Sequence, residues 1–338
     1  MKQLGNVLFI LTEGSYLYCQ NETIAVKIGG KDKVRIPAHT IDSIVCLCNM
    51  TVSTPFIGFC GEHGIGLSFH SDYGKFYGRI QGAVNGNVLL RQQQYAWIHQ
   101  PESVEVVRNI LYGKITNSRN VLLKSARTQS KDDTLQHAAE LLSEQCKNLE
   151  NVSTIDSMRG IEGSAATIYF HAFDSMLKID DEEMHFVRRS KHPPENRVNA
   201  ILSFTYMLLK NDVQSAIESV GLDPAAGYLH TLRPGRPSMA LDLMEELRSP
   251  LCDRFVISLI NLKQIQSDDF EMEGNEYRLK EKSRRLIIDQ WQKRKKEEIM
   301  HPFLKEKIPI GLISYCQAML LARYMRGDLD GYPAFIWR

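Results

Sequence analysis

The sequence lacks the features that mark a secreted or membrane protein. No apolar run in its 338 residues approaches the ~18–20 residues that a membrane-spanning helix needs. The apolar run at residues 7–11 is too short for a signal peptide, and no small-residue cleavage site accompanies it. We therefore expect a cytoplasmic protein that does not associate with a membrane.

Cysteines are few, and neither sign of charge predominates. The chain has 7 cysteines, an odd number, and they are widely scattered without a CxxC pair. This argues against both a disulfide framework and a zinc knuckle, whereas reduced thiols fit the cytoplasm. The formal net charge is only +1. A surface that binds DNA must therefore arise from local clusters of lysine and arginine.

One window, at residues 227–248, concentrates ionisable side chains around a predicted helix start. A proline- and glycine-rich turn leaves His230 in the loop before that helix. Asp242 and Glu245 are three residues apart on the helix and are therefore neighbours. Because like charges repel, two adjacent carboxylates are tolerated best with a cation between them. Glu246 is turned by about 100° from Glu245, and we expect it to be dispensable.

A third carboxylate, Glu162, lies between two glycines at the start of a small apolar helix. A glutamate in such surroundings is expected to be partly buried and to need a partner. It would complete a metal site of Glu162, His230 and Glu245. Oxygen ligands suit Mg²⁺ or Mn²⁺, and one imidazole favours Mn²⁺. The alternative is that the window at residues 227–248 forms only a solvated acidic helix face.

Three longer motifs combine into a specific pattern. They are Arg-Gly-Ile-Glu-Gly at 159–163, Pro-Pro-Glu-Asn-Arg-Val-Asn-Ala at 193–200, and a His…Pro-Gly-Arg…Leu-Asp-Leu-Met-Glu-Glu segment at 230–246. Over nearly its whole length the chain resembles the CRISPR adaptation integrase, the larger of the two proteins that CRISPR systems share for acquiring spacers. The ending at 331–338 resembles the type I-C branch in particular.

The resemblance implies a catalytic site and its metal ligands. The ligands are Glu162, His230 and Glu245, although many relatives carry aspartate at position 245. Asp242 lies close by as a fourth candidate catalytic residue, either binding a second metal ion or orienting the ligands of the first. On chemical grounds, Arg233 or Arg236 could neutralise the charge that builds on a phosphate in the transition state.

The resemblance also implies a reaction and partners. The 3′-hydroxyl of a short DNA duplex, the prespacer, would attack the backbone of the CRISPR repeat by transesterification. The protein would form a homodimer and assemble with the small CRISPR adaptation partner protein. Two rivals remain: a stand-alone metal-dependent DNase or branched-DNA-resolving nuclease, and a non-catalytic DNA-binding scaffold.

The hydrophobic pattern predicts an α+β protein of two domains. Short alternating segments up to about residue 95 predict a small β-sandwich, domain 1–95, and the resemblance implies that the protein dimerises through it. Long helical periods follow, and they predict a larger all-α catalytic and DNA-binding domain at 96–338. His63 and His70 in the first domain are interpreted as structural residues rather than ligands.

Two basic stretches are candidate DNA contacts outside the metal site. One is a loop before a proline pair, and the other is the segment 278–297, which carries nine lysines and arginines against three acids. A basic helix with one buried side suits DNA binding without sequence reading, although such a run is also typical of a solvated surface. The candidate DNA-binding residues are Arg188, Arg189, Arg233, Arg236, Arg284, Arg285, Arg294 and Lys295. Lys114, Asn117 and Arg119 resemble a similar run in the family, but they are equally well explained as solvated positions.

Overall fold

The computed structural model describes residues 6–71, 76–80, 88–128, 133–179, 181–190, 194–274 and 276–337. Pro193 and Arg338, the outermost residues of two sequence motifs, lie outside these ranges. The chain divides into two compact units. One comprises the described residues of 1–85 together with Arg285–Arg294, and the other comprises those of 86–284 and 295–338.

The first unit contains two four-stranded sheets, the helix α1 (Thr54–Glu62) and residues 285–294, which belong to the helix Glu281–Lys295. The sheet orders are β1-β5-β7-β8 and β4-β3-β2-β6. In the first sheet, β1, β5 and β7 are parallel and β8 is antiparallel to β7. In the second, β2, β3 and β4 form an antiparallel meander, and β6 is parallel to β2. The strands are β1 (Asn6–Ile10), β2 (Tyr16–Gln20), β3 (Thr23–Ile28), β4 (Lys31–Pro37), β5 (Ile41–Cys46), β6 (Thr51–Val52), β7 (Gly66–His70) and β8 (Phe76–Ile80).

Both sheets contribute to one apolar core. Leu17 and Ile24 from the second sheet, Ile44 and Leu67 from the first, and Phe56 from α1 are completely buried in it. Successive residues of a strand face opposite sides of a sheet, so alternating apolar positions supply one buried face each. The prediction of an N-terminal β-sandwich is therefore confirmed.

The two histidines of this unit make structural contacts. His63 lies 2.9 Å from both the Phe59 carbonyl and the Glu22 carboxylate through its two ring nitrogens. His70 is buried, and its ring packs edge-on against Phe76.

The second unit is mainly helical, as predicted. Its long helices α3 and α6 pack against several others: α3 contacts α4, α5 and α7, while α6 contacts α7, α8 and α10. Among the residues described there is no helix long and apolar enough to cross a membrane. The helices after α1 are α2 (Val88–Ala96), α3 (Pro101–Thr128), α4 (Asp133–Glu150), α5 (Ile155–His171), α6 (Arg197–Ser219), α7 (Ser238–Leu247), α8 (Arg254–Asn261), α9 (Glu281–Lys295) and α10 (Ile313–Met325).

Two short hairpins and one π-helical turn interrupt the helices. The hairpins pair β9 (Phe270–Glu273) with β10 (Glu276–Leu279), and β11 (Glu298–Met300) with β12 (Lys307–Pro309). The π-helical turn, Arg248–Asp253, joins α7 to α8. Nine of the ten residues of α7 are buried, which excludes the alternative that this helix presents a solvated acidic face.

Candidate metal centre

Helix α7 carries three carboxylates into the interior of the second unit. Asp242, Glu245 and Glu246 are 1%, 2% and 0% exposed. An ionised carboxylate away from water is tolerated only with hydrogen-bond donors or cations around it. The partners of these three side chains therefore define the surrounding structure.

Asp242 holds the loop that precedes α7. Its Oδ2 accepts hydrogen bonds from the backbone N–H groups of Tyr228 (2.6 Å) and Leu229 (2.8 Å), and its Oδ1 accepts one from that of His230 (2.9 Å). The His230 ring nitrogen Nδ1 is also 2.6 Å from Oδ1. A carboxylate there favours the proton on Nδ1, which leaves the Nε2 lone pair available. Asp242 thus holds both the backbone and the ring of His230 in place.

The loop approaches α7 so closely that only glycine fits at position 227. A Cβ on Gly227 would lie 2.5 Å from the backbone carbon of Ser238 and 2.7 Å from Asp242 Oδ2. The buried Gln94 side chain of α2 supports the other side of this loop by donating to the carbonyls of Asp223 (2.8 Å) and Ala226 (2.9 Å). These contacts fix the backbone that carries His230.

Glu245 lies at the centre of a cluster drawn from several elements. On one side, Lys114 Nζ of α3 is 2.8 Å from Glu245 Oε2 and also contacts Glu162 of α5. On the other side, Arg248 Nη2 is 2.9 Å from Glu245 Oε1. The His230 nitrogen Nε2 is 3.7 Å from the same oxygen. The three expected ligands are therefore brought together, with two cations that the sequence analysis did not include in the site.

The charges of this cluster stabilise one another. Burial alone would raise the pKa of Glu245, but Arg248, Lys114 and His230 together lower it to about 2. Burial would likewise lower the pKa of Lys114, whereas Glu245 and Glu162 outweigh burial and raise it. At neutral pH the Glu245 carboxylate is therefore ionised and the Lys114 ammonium is protonated.

These residues suit a hard divalent cation once Lys114 moves. Within the described ranges, no three His, Cys, Asp or Glu side chains are arranged to hold a metal ion as they stand, and Lys114 lies between two of the expected ligands. The Lys114 ammonium, 2.8 Å from the buried Glu245 Oε2, shows that these carboxylates already hold a cation. Two carboxylates and one imidazole are donors that Mg²⁺ or Mn²⁺ accepts.

Glu246 points away from Glu245, as expected, but it is not dispensable for the structure. Its Oε1 accepts hydrogen bonds from Gln317 Nε2 (2.8 Å) and the Tyr332 hydroxyl (2.5 Å), and its Oε2 accepts one from Phe335 N (2.9 Å). Burial raises the pKa of Glu246 to about 7 in spite of these donors. Glu246 is therefore a structural residue, because its carboxylate accepts hydrogen bonds from Tyr332 and Phe335 of the C-terminal segment 332–337, and the activity expected after its replacement stays a prediction.

Helix α3 holds the same C-terminal segment. The Asn117 side chain donates to the carbonyls of Glu246 (2.8 Å) and Phe335 (2.7 Å), and it accepts from Trp337 N (2.8 Å). One turn earlier, a Cβ on Gly113 would lie 3.0 Å from that of Ala334. Asn117 is thus a buried structural residue, and it connects the helix of Lys114 with the helix of Glu245.

A cavity of about 380 Å³ adjoins the cluster. Glu162, Glu245 and Lys114 line one part of it, and Phe170 and Val187 contribute apolar surface elsewhere. A buried polar wall completes the lining. It includes Arg189, Tyr206, Arg248 and Asp253.

The polar wall contains one buried carboxylate, that of Asp253. Asp253 Oδ1 accepts a hydrogen bond of 2.6 Å from the Tyr206 hydroxyl. Burial raises the pKa of Asp253 to about 6 against the effects of this bond and of the nearby arginines.

Of the two arginines in the predicted DNA-binding loop, only one is exposed. Arg188 is 74% exposed in its side chain and pairs with Glu195 at 2.8 Å. Arg189 instead donates to Asn199 Oδ1 at 2.7 Å, and its guanidinium lies over the Tyr206 ring. These partners hold Arg189 in the cavity wall, and its contact with DNA stays a prediction.

The other candidates also differ in exposure. Arg233 is exposed and Arg236 half-buried in the turn after His230, while Arg285 is exposed and Arg284 and Arg294 are half-buried in α9. Lys295 is only 7% exposed, and its Nζ pairs with both carboxylate oxygens of Asp212 at 2.8 and 2.9 Å. The ammonium of this candidate DNA contact is therefore already neutralised inside the unit, and its contact with DNA stays a prediction.

Sequence reasoning missed two cations of the cluster. Arg248 follows Glu245 by three residues, which is the spacing of an ion pair on a helix surface, so a local signal existed. Lys114 stands out in the sequence only as part of a run that resembles one in the family, with no link to the metal site. Its contacts are with residues 48 and 131 positions further along the chain, and no local pattern reports such a pairing.

Comparison with known proteins gives consistent matches. The family model for the CRISPR associated protein Cas1 matches residues 8–293. A CRISPR-associated endonuclease Cas1 of Chlorobaculum tepidum is 43% identical over 343 aligned positions that cover 100% of both chains. Another, from Rhodospirillum rubrum, is 42% identical and also covers 100% of both chains.

Three solved structures share the fold. A Cas1 protein from Thermotoga maritima has a TM-score of 0.82 at 23% identity, covering 96% of this chain and 98% of that one. A casposase bound to integration product has a TM-score of 0.84 at 21% identity, covering 98% and 94%. A chain of a Cas6-RT-Cas1–Cas2 complex has a TM-score of 0.83 at 24% identity, covering 100% of this chain and 36% of that longer one.

Proposed function

Because this chain belongs to the CRISPR-associated Cas1 family, we propose that Glu162, His230 and Glu245 form the metal centre with which it processes DNA. The chain is an endonuclease of CRISPR adaptation, in line with its full-length relatives. One observation carries the proposed site. Ligand-type side chains from α5, from α7 and from the loop before α7 converge around the buried Glu245 carboxylate, and a single ammonium contacts two of them.

Each side chain of the site has a defined task in this proposal. A bound Mg²⁺ or Mn²⁺ polarises a phosphodiester and lowers the pKa of an attacking hydroxyl. Glu245 stays ionised at any pH of interest, and Asp242 keeps the His230 Nε2 lone pair available. Arg248 remains against Glu245 Oε1 and limits the negative charge of the site.

We propose that the reaction is strand transfer as well as cleavage. The 3′-hydroxyl of a prespacer attacks a phosphorus of the CRISPR repeat, so one phosphodiester bond forms while another breaks. The displaced 3′-oxygen takes up the proton that the attacking hydroxyl loses. The exchange conserves the number of phosphodiester bonds and needs no further reactant, and water in place of the 3′-hydroxyl gives hydrolysis. A structural neighbour, the casposase bound to integration product, supports this assignment.

We further propose a set of partners. The protein binds double-stranded DNA, and domain 1–95 forms a homodimer. The small CRISPR adaptation partner joins this dimer, by analogy with the Cas6-RT-Cas1–Cas2 complex. The motif at 331–338 supports the type I-C branch, and seven free cysteines suit a reducing cytoplasm.

The proposed metal centre can be tested by removing one ligand without changing its shape. Glu245→Gln should reduce Mn²⁺-dependent cleavage and strand transfer by more than the roughly 10–100-fold typical of a residue that only supports a ligand. The matched control is Glu144→Gln on the exposed face of α4, which should keep wild-type activity. A melting curve for each variant separates loss of chemistry from loss of folding.

The same assay separates the rival functions. Cleavage of branched DNA without preference for repeat sequence, and without joining of a labelled prespacer, would indicate a stand-alone nuclease. DNA binding that EDTA leaves unchanged, together with no turnover in Mn²⁺ or Mg²⁺, would indicate a scaffold. Wild-type turnover by Glu245→Gln would refute the proposed site.

A further inference from the structure

Lys114 lies where the proposed function requires a cation. Its ammonium nitrogen is 2.8 Å from Glu245 Oε2 and also contacts Glu162 Oε1. Its side chain is only 14% exposed, so solvent and salt screen these contacts weakly. One buried ammonium therefore neutralises the same two carboxylates that are assigned as metal ligands.

We propose that Lys114 is a resident counter-ion, which holds Glu162 and Glu245 together before the metal arrives and is displaced when a divalent cation binds. The inference rests on the proposed metal centre. An ammonium and a divalent cation repel each other strongly at contact distance and compete for the same oxygens. Lys114 is thus a positioning residue whose charge opposes metal binding.

The surroundings allow this displacement. The Lys114 side chain lines the cavity of about 380 Å³, which gives its flexible four-carbon stem room to turn away from the carboxylates. Glu245 keeps two other partners when Lys114 leaves, because Arg248 and His230 approach its opposite oxygen, Oε1. The ligand is therefore not left without support during the exchange.

The exchange predicts an order of metal affinity among variants at position 114. Lys114→Met removes the competing charge and leaves Glu162 and Glu245 without the ammonium that contacts both, so a metal ion gains more by binding. Lys114→Arg keeps the charge, and its planar guanidinium binds carboxylates through two hydrogen bonds at once. Affinity for Mn²⁺ should therefore decrease in the order Met, Lys, Arg.

Calorimetric titration with Mn²⁺ and thermal melting of the full-length protein test this order. We expect Lys114→Met to bind Mn²⁺ at least roughly tenfold more tightly than wild type. Without metal, the melting temperature of this variant should be lower than that of wild type. Addition of Mn²⁺ should raise it by more than in wild type, because a ligand that binds the folded protein more tightly stabilises it more. The control Lys124→Met removes an exposed lysine from the same helix and should leave Mn²⁺ affinity unchanged.

The outcomes separate this inference from the function on which it rests. Unchanged or weaker Mn²⁺ binding by Lys114→Met, with normal binding by wild type, overturns the counter-ion and leaves the metal centre standing. Absence of Mn²⁺ binding in wild type and both variants overturns both. Should Lys114→Met fail to fold without metal, recovery on adding Mn²⁺ supports the inference. In that case Lys114→Arg provides an independent test, because a Mn²⁺ affinity of this variant equal to or above that of wild type contradicts the inference.

Discussion

Replacing Asp242 by asparagine should reduce metal-dependent activity, because it should move the ring proton of His230 from one nitrogen to the other. The carboxylate accepts three backbone N–H groups and lies 2.6 Å from His230 Nδ1. Asparagine has only one acceptor oxygen, and that oxygen serves Tyr228 and Leu229 best. Its NH₂ group then faces His230 and donates to Nδ1. The ring proton consequently moves to Nε2, where it blocks the lone pair that the metal needs.

The contacts also set the size of the stability loss. In Asp242→Asn one backbone donor, His230 N–H, loses its acceptor, which costs about 1–3 kcal/mol. At roughly 2–4 °C per kcal/mol for a domain of about 150–250 residues, the melting temperature should fall by about 2–12 °C. Asp242→Ala would leave three donors unpaired and cost about 3–9 kcal/mol. That loss approaches the whole stability of a domain, about 5–15 kcal/mol, so asparagine is the informative change.

Two measurements together test the reasoning. Mn²⁺-dependent cleavage by Asp242→Asn should fall by roughly 10–100-fold, while the protein stays folded. Nitrogen NMR of histidine-labelled protein should show the ring proton of His230 on Nδ1 in wild type and on Nε2 in the variant, with His230→Gln identifying the signal. Activity within about twofold of wild type, or a proton that stays on Nδ1, would refute the role assigned to Asp242.

Other substitutions test different parts of the structure. Gly227→Ala should disrupt the loop before α7, because its Cβ would lie 2.5 Å from the backbone of Ser238, whereas Gly163→Ala meets nothing within 4 Å and should raise the melting temperature. Charge reversal of the basic residues of α9 should weaken DNA binding. It should also reduce the slope of log K against log salt by about one for each phosphate that the protein no longer neutralises. An unchanged slope would show that this helix is only solvated surface. The residues to change to glutamate are Arg284, Arg285 and Arg294. Because burial raises the pKa of Asp253 from 3.8 to about 6, the folded protein holds a proton that the unfolded chain has lost. The free energy of unfolding should therefore decrease as pH rises from about 4 to about 6, and Asp253→Asn should remove that part of the slope in denaturation measurements.

The spacing of apolar residues along the sequence was sufficient to predict the fold class. The alternation of apolar residues in β2 and β3 and the helical spacing in α3 are local signals, and each element forms because one face can be buried. Helix α6 runs without a break from Arg197 to Ser219, although the polar residues Lys210 and Asn211 interrupt its apolar run.

The proposed ligands could be selected from the sequence, but their environment could not. Glu162, His230 and Glu245 belong to motifs whose residue types indicate metal chemistry. Their burial, and the partners that make burial tolerable, depend on packing between distant segments. Lys114 shows this most clearly, since its two ion pairs cross 48 and 131 positions of the chain.

Glu246 illustrates the opposite error. Helical geometry correctly predicts that it points away from Glu245, and a glutamate beside a candidate ligand is then easily taken for a solvated residue. The helix is buried on that side as well, and the Glu246 carboxylate accepts hydrogen bonds from Gln317, Tyr332 and Phe335. A single helix pattern does not show which faces other segments cover.

The bond between Glu246 and Tyr332 also concerns the order in which the chain is synthesised. Tyr332 follows Glu246 by 86 residues, which a ribosome adds in roughly 4–17 s at about 5–20 residues per second. Throughout that interval the Glu246 carboxylate lacks two of its donors and favours water over the interior. Helix α7, which also carries Glu245, therefore lacks part of its final packing until the C-terminal segment has been synthesised. We expect a nascent copy of this nuclease to complete the packing around Glu245 only after translation has passed Phe335.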